Sequence, residues 1–242
     1  MSNIDFTFVL RIVGTAVIAY LLGSLNFAVI LTRKNKNDIR TMGSGNAGFT
    51  NMLRSVGTGP AVITFIFDFL KGAIAVAIGW WIFSGVSAAD GVTLSEYTTY
   101  GRYLAGLFAI IGHMFPVYFG FKGGKGVTTT AAMMAVVDWR VFLMIITTFL
   151  IIFLFTKIIS LGSCACAMLY GVYACIATYF FDYLPRLGQA ESFRFRYVIL
   201  STICAAIIGL LVLVKHKDNL VRLFRGEEKR ISPKKKTAQK TA

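Results

Sequence analysis

The chain has 242 residues, 56% of them hydrophobic, with a formal net charge of +14 and a mean hydropathy of +0.69. So apolar a composition at this length excludes a soluble domain and leaves helices or a closed barrel as ways to satisfy the backbone in lipid. Long apolar runs without period-two alternation exclude the barrel, so one all-α, polytopic membrane domain is expected over residues 1–226.

The N-terminus, Met-Ser-Asn-Ile-Asp, lacks the basic region of a signal peptide, so the first apolar run is expected to be retained. Phe8 to Thr32 reads as one spanning helix, long enough for a hydrocarbon core of ~30 Å. Gly23-Ser24 in its second half suits close helix packing or a reach into a site. Arg33, Lys34, Lys36 and Arg40 follow at once and place the next loop, Gly43 to Arg54, on the cytoplasmic side. Gly43, Gly45 and Gly48 allow backbone N–H groups in that loop to turn toward an anion. Ser44, Asn46, Thr50 and Asn51 add neutral donors, and Arg54 offers a planar fork suited to phosphate. Glycine, serine and asparagine also make ordinary turns, so the loop carries this reading only in company.

A second crossing runs around Pro60 to Phe83, with Asp68 and Lys71 on one face. Charges at such depth pair or serve a site; here they are expected to satisfy each other or to brace the phosphate loops. The following segment, Ser84 to Tyr100, holds Asp90 and Glu96 and no Lys or Arg, as an outer loop does. The third helix, about Gly101 to Phe119, ends near His113 and Pro116, where a histidine commonly bonds a neighbouring loop. Gly123-Gly124-Lys125-Gly126 then repeats the character of the first loop. It is not a Walker A loop: three residues separate Gly120 from Gly124 where four are needed, and Gly126 stands where Ser or Thr holds magnesium. Nucleotide hydrolysis is disfavoured.

Val127 to Phe155 as one helix would bury Asp138 and Arg140 near the bilayer centre and place the basic tail outside. Two short helices turning at Asp138-Trp139-Arg140 avoid both outcomes, with Trp139 at the interface. Lys157 marks a cytoplasmic turn holding Ser160-Leu161-Gly162-Ser163, a helix from about Cys164 to Phe181 returns outward, and the last crosses from about Tyr197 to Val214. His216 and Asn219 are three apart just past its end and able to face the earlier loops. The map therefore has about seven transmembrane helices, N-terminus outside and C-terminus cytoplasmic. It places 18 Lys/Arg inside and six outside.

From Lys215 onward ten Lys/Arg oppose three Asp/Glu. Residues 227–242 are expected to be a basic, flexible cytoplasmic tail touching anionic membrane lipid. Nucleic acid is not an expected partner, because no aromatic-interleaved basic domain supports it. Cys164, Cys166, Cys175 and Cys204 lie in apolar stretches as small packing residues, and no metal site or cofactor is implied.

Taken together, Gly43-Ser44-Gly45-Asn46-x-Gly48-x-Thr50-Asn51-x-x-Arg54 resembles the first signature of the bacterial acyl-phosphate:glycerol-3-phosphate acyltransferases. Asp68-x-x-Lys71-Gly72, Gly112-His113-x-x-Pro116, Lys122-Gly123-Gly124-Lys125-Gly126-Val127, Ser160-x-Gly162-Ser163 and His216-x-x-Asn219 resemble the remaining motifs, in order. The likeness spans about Gly23 to Gly226; Asn26, Phe49, Thr128, a long outer loop and a longer tail depart from the pattern. It implies transfer of a fatty acyl group from acyl phosphate to the 1-hydroxyl of glycerol 3-phosphate, in a bacterial plasma (inner) membrane with the site at the cytoplasmic face. Lysophosphatidic acid and phosphate would be the products, and an enzyme that forms acyl phosphate the expected functional partner.

By that resemblance Ser44, Arg54, Lys125, Ser163, His216 and Asn219 are the expected catalytic residues. Gly43, Gly45, Asn46, Thr50, Asn51, Gly123, Gly124, Gly126 and Ser160 are the expected substrate-binding ones. Neither histidine has a carboxylate at the His-x-x-x-x-Asp offset, and no Gly-x-Ser-x-Gly elbow is present. With an activated donor, positioning and electrostatic stabilisation suffice, and a substrate phosphate oxygen can take the hydroxyl proton. A transporter for an organic phosphate is the rival class, but it more often shows repeats and groups at the midplane. A structural scaffold leaves the clustered polar loops unexplained.

Overall fold

The computed structural model describes residues 6–34, 37–86, 92–189 and 193–231. Its α-helices in chain order are α1 (Phe6–Gly23), α2 (Phe27–Lys34), α3 (Phe49–Ser55), α4 (Thr58–Ser84) and α5 (Leu94–Met114). They continue with α6 (Val127–Val137), α7 (Trp139–Thr156), α8 (Ile159–Ala177), α9 (Phe195–Lys215) and α10 (Lys217–Phe224). Among the described residues, six stretches are long and apolar enough to cross a bilayer: 6–33, 58–84, 94–119, 139–156, 159–186 and 195–215. Helix α6, with 11 residues, is a seventh, short apolar helix. The all-α membrane architecture expected from the sequence is therefore present.

The boundaries differ in five places, one being that Phe49–Ser55, expected as part of the Gly43–Arg54 loop, form helix α3. The run expected as one helix from Phe8 to Thr32 breaks at Ser24-Leu25-Asn26, because the Asn26 side chain competes for the backbone and caps α2. Its Oδ1 accepts from Val29 N at 3.1 Å and its Nδ2 donates to Ala47 O at 3.3 Å. The segment expected as an outer loop to Tyr100 becomes helical at Leu94. There Thr93 and Glu96 form a capping box, Glu96 N bonding Thr93 Oγ1 at 3.2 Å and Thr93 N bonding Glu96 Oε2 at 3.3 Å. Ser160 to Ser163 lie in the opening turns of α8 rather than in a loop, since Lys157 takes the left-handed conformation (φ 58°) and ends α7 alone. His216 is the junction of α9 and α10, and Asn219 sits in the first turn of α10.

The turn at Asp138 is as expected. Asp138 accepts from Arg140 N at 2.9 Å, and the Arg140 guanidinium bridges Asp138 and Asp182 at 2.7–3.0 Å. The charges thus neutralise one another at the helix ends, and α6 and α7 stay short.

Helix α5 is the packing centre, lying against both α1 and α4, while α8 pairs with α9. In lipid there is little hydrophobic drive between helices, so close backbone approach and dispersion hold the bundle. At the α1–α5 crossing a Cβ added to Gly23 would lie 2.1 Å from Ala109 O. The main apolar core, including Tyr103, Ile110, Met114, Met133, Tyr170 and Ile208, joins α5, α6, α8 and α9 and walls one side of the cavity described next.

Candidate active site

A cavity of about 950 Å³ opens among α3, α4, α6, α7, α8 and α10. Polar groups gather at one end: Ser44, Asn46, Thr50, Arg54, Lys125, Ser160, Ser163, His216 and Asn219. Much of its remaining wall is apolar, with Phe65, Phe69, Phe142, Phe149, Phe153 and Tyr170 among its members, and Asp68 and His113 reach it as well. A charged head and a hydrocarbon tail fit such a space together.

The first polar loop is built on Asn51. From α3 its Oδ1 accepts from Ser44 N at 3.0 Å, and its Nδ2 donates to Met42 O at 3.0 Å and Ile39 O at 3.2 Å. This folds the loop back through left-handed turns at Gly43 (φ +55°) and Gly45 (φ +70°); a Cβ on Gly43 would lie 2.4 Å from Asn51 Oδ1. Asn51 and Gly43 reach the cavity wall, yet the Asn51 amide is committed to the loop itself. Gly45 does not reach the wall; it supplies a turn. Upstream, the Arg40 side chain bonds Asp38 and holds its carboxyl down at about 2, and Arg40 Nη1 donates to Phe119 O at 2.7 Å.

The second loop behaves similarly. Gly123 and Gly124 do not line the cavity but press against the end of α5, where Gly124 N bonds His113 O at 3.1 Å. A Cβ on Gly123 would lie 2.0 Å from that same oxygen. Their close approach is what delivers Lys125 and Gly126 to the wall. Gly126 (φ +80°) starts α6, whose first N–H groups lack intrahelical partners and open beside Val127 and Thr128.

The third side comes from α8, α10 and the segment after it. Lys125 Nζ meets Asn219 Oδ1, and Asn219 Nδ2 donates to Glu228 Oε1 at 2.8 Å. Ser160 Oγ donates to the same oxygen at 2.9 Å, and Arg222 Nε to Glu228 Oε2 at 2.7 Å. Burial alone would raise the Glu228 carboxyl, but the bonds from Arg222, Asn219 and Ser160 hold it below its ordinary value. Burial lowers the affinity of Lys125 for its proton, against the pull of Glu228. His216 Nδ1 bonds Val212 O at 2.8 Å, and burial pushes the imidazolium down to about 4. His216 is therefore neutral at pH 7, a donor through Nδ1 and an acceptor through Nε2. Ser163 Oγ donates to Ile159 O at 3.0 Å and keeps its lone pairs.

Glu228 and Arg222 are the residues that sequence reading missed. The tail was expected to begin at 227, whereas residues 227–231 lie over the site: Ile231 N bonds Lys157 O at 2.8 Å and Arg54 Nη2 donates to Lys229 O at 3.4 Å. Residues 232–242 of that tail lie outside the described residues. A signal for Arg222 existed, since His216, Asn219 and Arg222 repeat at three-residue spacing on one helical face.

Comparison with known proteins points one way. The glycerol-3-phosphate acyltransferase family profile matches residues 13–226. The glycerol-3-phosphate acyltransferase of Shouchella clausii is 35% identical over 227 residues, covering 93% of this chain and 98% of that one. The same-named protein of Shewanella loihica is 35% identical over 220 residues, covering 90% and 92%. Among solved structures, PlsY (YgiH), an integral membrane glycerol 3-phosphate acyltransferase in its glycerol 3-phosphate form, superposes with a TM-score of 0.67. It is 31% identical and covers 91% of this chain and 96% of that one. The same enzyme in its lysophosphatidic acid form gives a TM-score of 0.65 at 30% identity, with 91% and 95% covered. With its profile matched across nearly all of its length, the chain belongs to the glycerol-3-phosphate acyltransferase family.

Proposed function

We propose that this chain acylates glycerol 3-phosphate to lysophosphatidic acid with an acyl phosphate as donor, through the two glycine-rich loops and α10. One observation carries this reading: a single cavity joins two cationic groups at its polar end, Arg54 and Lys125, to a hydrocarbon wall. Lys125 and the N–H groups opening α6 hold the donor phosphate. Ser44, Arg54 and Ser163 hold glycerol 3-phosphate, and the neutral His216 accepts from its hydroxyl. Asn219 steers Lys125. The hydroxyl oxygen attacks the acyl carbon, the bond from that carbon to the phosphate oxygen breaks, and the hydroxyl proton ends on a phosphate oxygen. No side chain has to be a strong base, which agrees with a His216 that titrates near 4.

Donor choice is the direct test. Purified protein is expected to make lysophosphatidic acid from acyl phosphate and to leave acyl-CoA and acyl carrier protein thioesters unused, because a thioester has no phosphate on its acyl carbon for Lys125 to hold as the leaving group. Chelators are expected to leave turnover unchanged, since among the described residues no three metal-ligating side chains converge. Comparable turnover with a thioester donor would overturn the donor assignment. Counterflow of glycerol phosphate in vesicles without acyl transfer would instead favour the transporter.

We further propose that the chain lies in the bacterial plasma (inner) membrane with the cavity open to the cytoplasm, an orientation that the charge bias supports, and that an enzyme forming acyl phosphate supplies the donor. In a variant lacking native cysteines, Ser95→Cys and Trp139→Cys are expected to react with an impermeant maleimide from outside, and Arg230→Cys only from inside. All three positions are exposed, so reactivity reports the side of the membrane. Labelling of the Arg230 site from outside would invert the map.

A further inference from the structure

Three ionisable side chains are buried together, with Asp68 and His113 also reaching the cavity wall: Asp68 and Lys71 of α4 and His113 of α5, at 2%, 4% and 3% exposure. Lys71 Nζ reaches Asp68 Oδ1 at 2.7 Å, Leu25 O at 2.7 Å and His113 Nδ1 at 2.9 Å. The ammonium donates to the Leu25 carbonyl and meets His113 Nδ1, and its charge pairs with Asp68. His113 Nδ1 is accordingly the acceptor of the pair, which puts its proton on Nε2 and denies it the part of a base at that edge.

What these contacts join is more informative than their number. Leu25 lies in the break between α1 and α2, and its neighbour Asn26 donates to Ala47 O in the first polar loop. His113 closes α5, accepts from Gly124 N through its carbonyl at 3.1 Å, and presses its ring against Gly124. A Cβ on Gly124 would lie 2.2 Å from His113 Nε2 and 2.5 Å from Ala47 O. Both loops therefore meet at one point, and the same ammonium is tied to the backing of each. Arg40 clamps the outer rim separately, through Phe119 O and Lys122 O.

We propose that Asp68, Lys71 and His113 form one positioning unit that fixes the two phosphate loops relative to each other, with Lys71 as its centre. Without it, each loop can still hold its phosphate, but the hydroxyl and the acyl carbon lose their alignment. The inference rests on the two-loop reading above.

The test uses full-length protein and two variants. Asp68→Asn with Lys71→Met removes both charges together and so leaves no buried ion unpaired. His113→Asn keeps an acceptor toward Lys71 and removes the ring edge beside Gly124. The double variant is expected to fold with kcat reduced about a hundredfold and either KM changed by less than about threefold, the pattern of lost alignment. Hydrogen exchange without substrate should be about tenfold faster in segments 22–30 and 120–128 together, and unchanged in α8 and α9. Should the double variant fail to fold, the same pattern in His113→Asn decides. A variant that loses turnover with native exchange in both segments overturns the proposal. So does one whose loss follows only the folded fraction, with native kcat per folded molecule. The exchange result involves no chemistry, so it separates failure of this unit from failure of the acyl-transfer reading.

Discussion

Lys125→Ala is expected to lower kcat/KM by about 10²–10³-fold in a protein that still folds, the scale of losing one donor aimed at developing charge. The ammonium is half-buried and contacts Asn219, itself bonded to Glu228, so it is held at a defined place on the cavity wall. As the bond between acyl carbon and phosphate breaks, charge gathers on the leaving oxygen, and a fixed cation there gains more in the transition state than in the ground state. The loss should fall on kcat as well as on the donor KM. A pH profile adds an arm that folding defects do not imitate. Burial lowers the Lys125 pKa from its ordinary 10.5, so the rate is full while the ammonium is protonated and falls as pH rises through that lowered value. Lys125→Arg, which stays protonated, should move the alkaline limb to higher pH. Glu228→Gln keeps an acceptor for Asn219 and Ser160 while removing a charge that competes with phosphate, so its effect should be milder. Lys125→Ala with activity within about threefold of the parent would remove this loop from the chemistry. Cys164→Ala and Cys166→Ala serve as controls expected to leave turnover nearly unchanged.

Much of this arrangement is legible in the sequence, for reasons that can be named. Loops rich in glycine and hydroxyl groups, beside apolar runs and carrying a cation, leave few structural uses, and charge asymmetry put them on one side. The turn at Asp138 followed from the cost of burying Arg140, and the structure shows the bridge to Asp182 that removes that cost. Tertiary contacts decided the rest. Nothing in the run from Phe8 to Thr32 separates Asn26 as a helix cap from Asn26 as a polar residue in a helix, until Ala47 O is known to lie beside it. Gly123 and Gly124 read as anion-binding glycines because the sequence does not show the His113 carbonyl against which they pack. Glu228 disappeared into a basic tail, since a count of charges carries no distances. Its bond to Arg222 spans six residues and could have been suspected only with the shared face of His216, Asn219 and Arg222 in view.

Arg54→Lys is the second large effect expected, and it separates a fork from a point charge. Arg54 ends α3 at the mouth of the cavity, exposed, with one nitrogen 3.4 Å from Lys229 O. A guanidinium in that position can give two parallel bonds to a phosphate and reach it without further ordering of the loop; an ammonium gives one, from a longer-range, strongly hydrated charge. Each charged hydrogen bond is worth ~1.5–3 kcal/mol, so losing one costs roughly ten- to a hundredfold. Exposure before substrate arrives argues for the lower half of that range, because water screens the mouth until glycerol phosphate closes it. The loss should appear mainly as a raised KM for glycerol 3-phosphate, with the donor KM unchanged, since Arg54 and Lys125 grip different phosphates. Arg54→Ala should be only slightly worse than Arg54→Lys if geometry dominates, and far worse if charge alone matters. Steady-state kinetics in both substrates for the two variants resolves the two cases. Arg54→Lys at full activity would show that the mouth needs only a cation, and the first loop would then be a tether for charge rather than a template for phosphate.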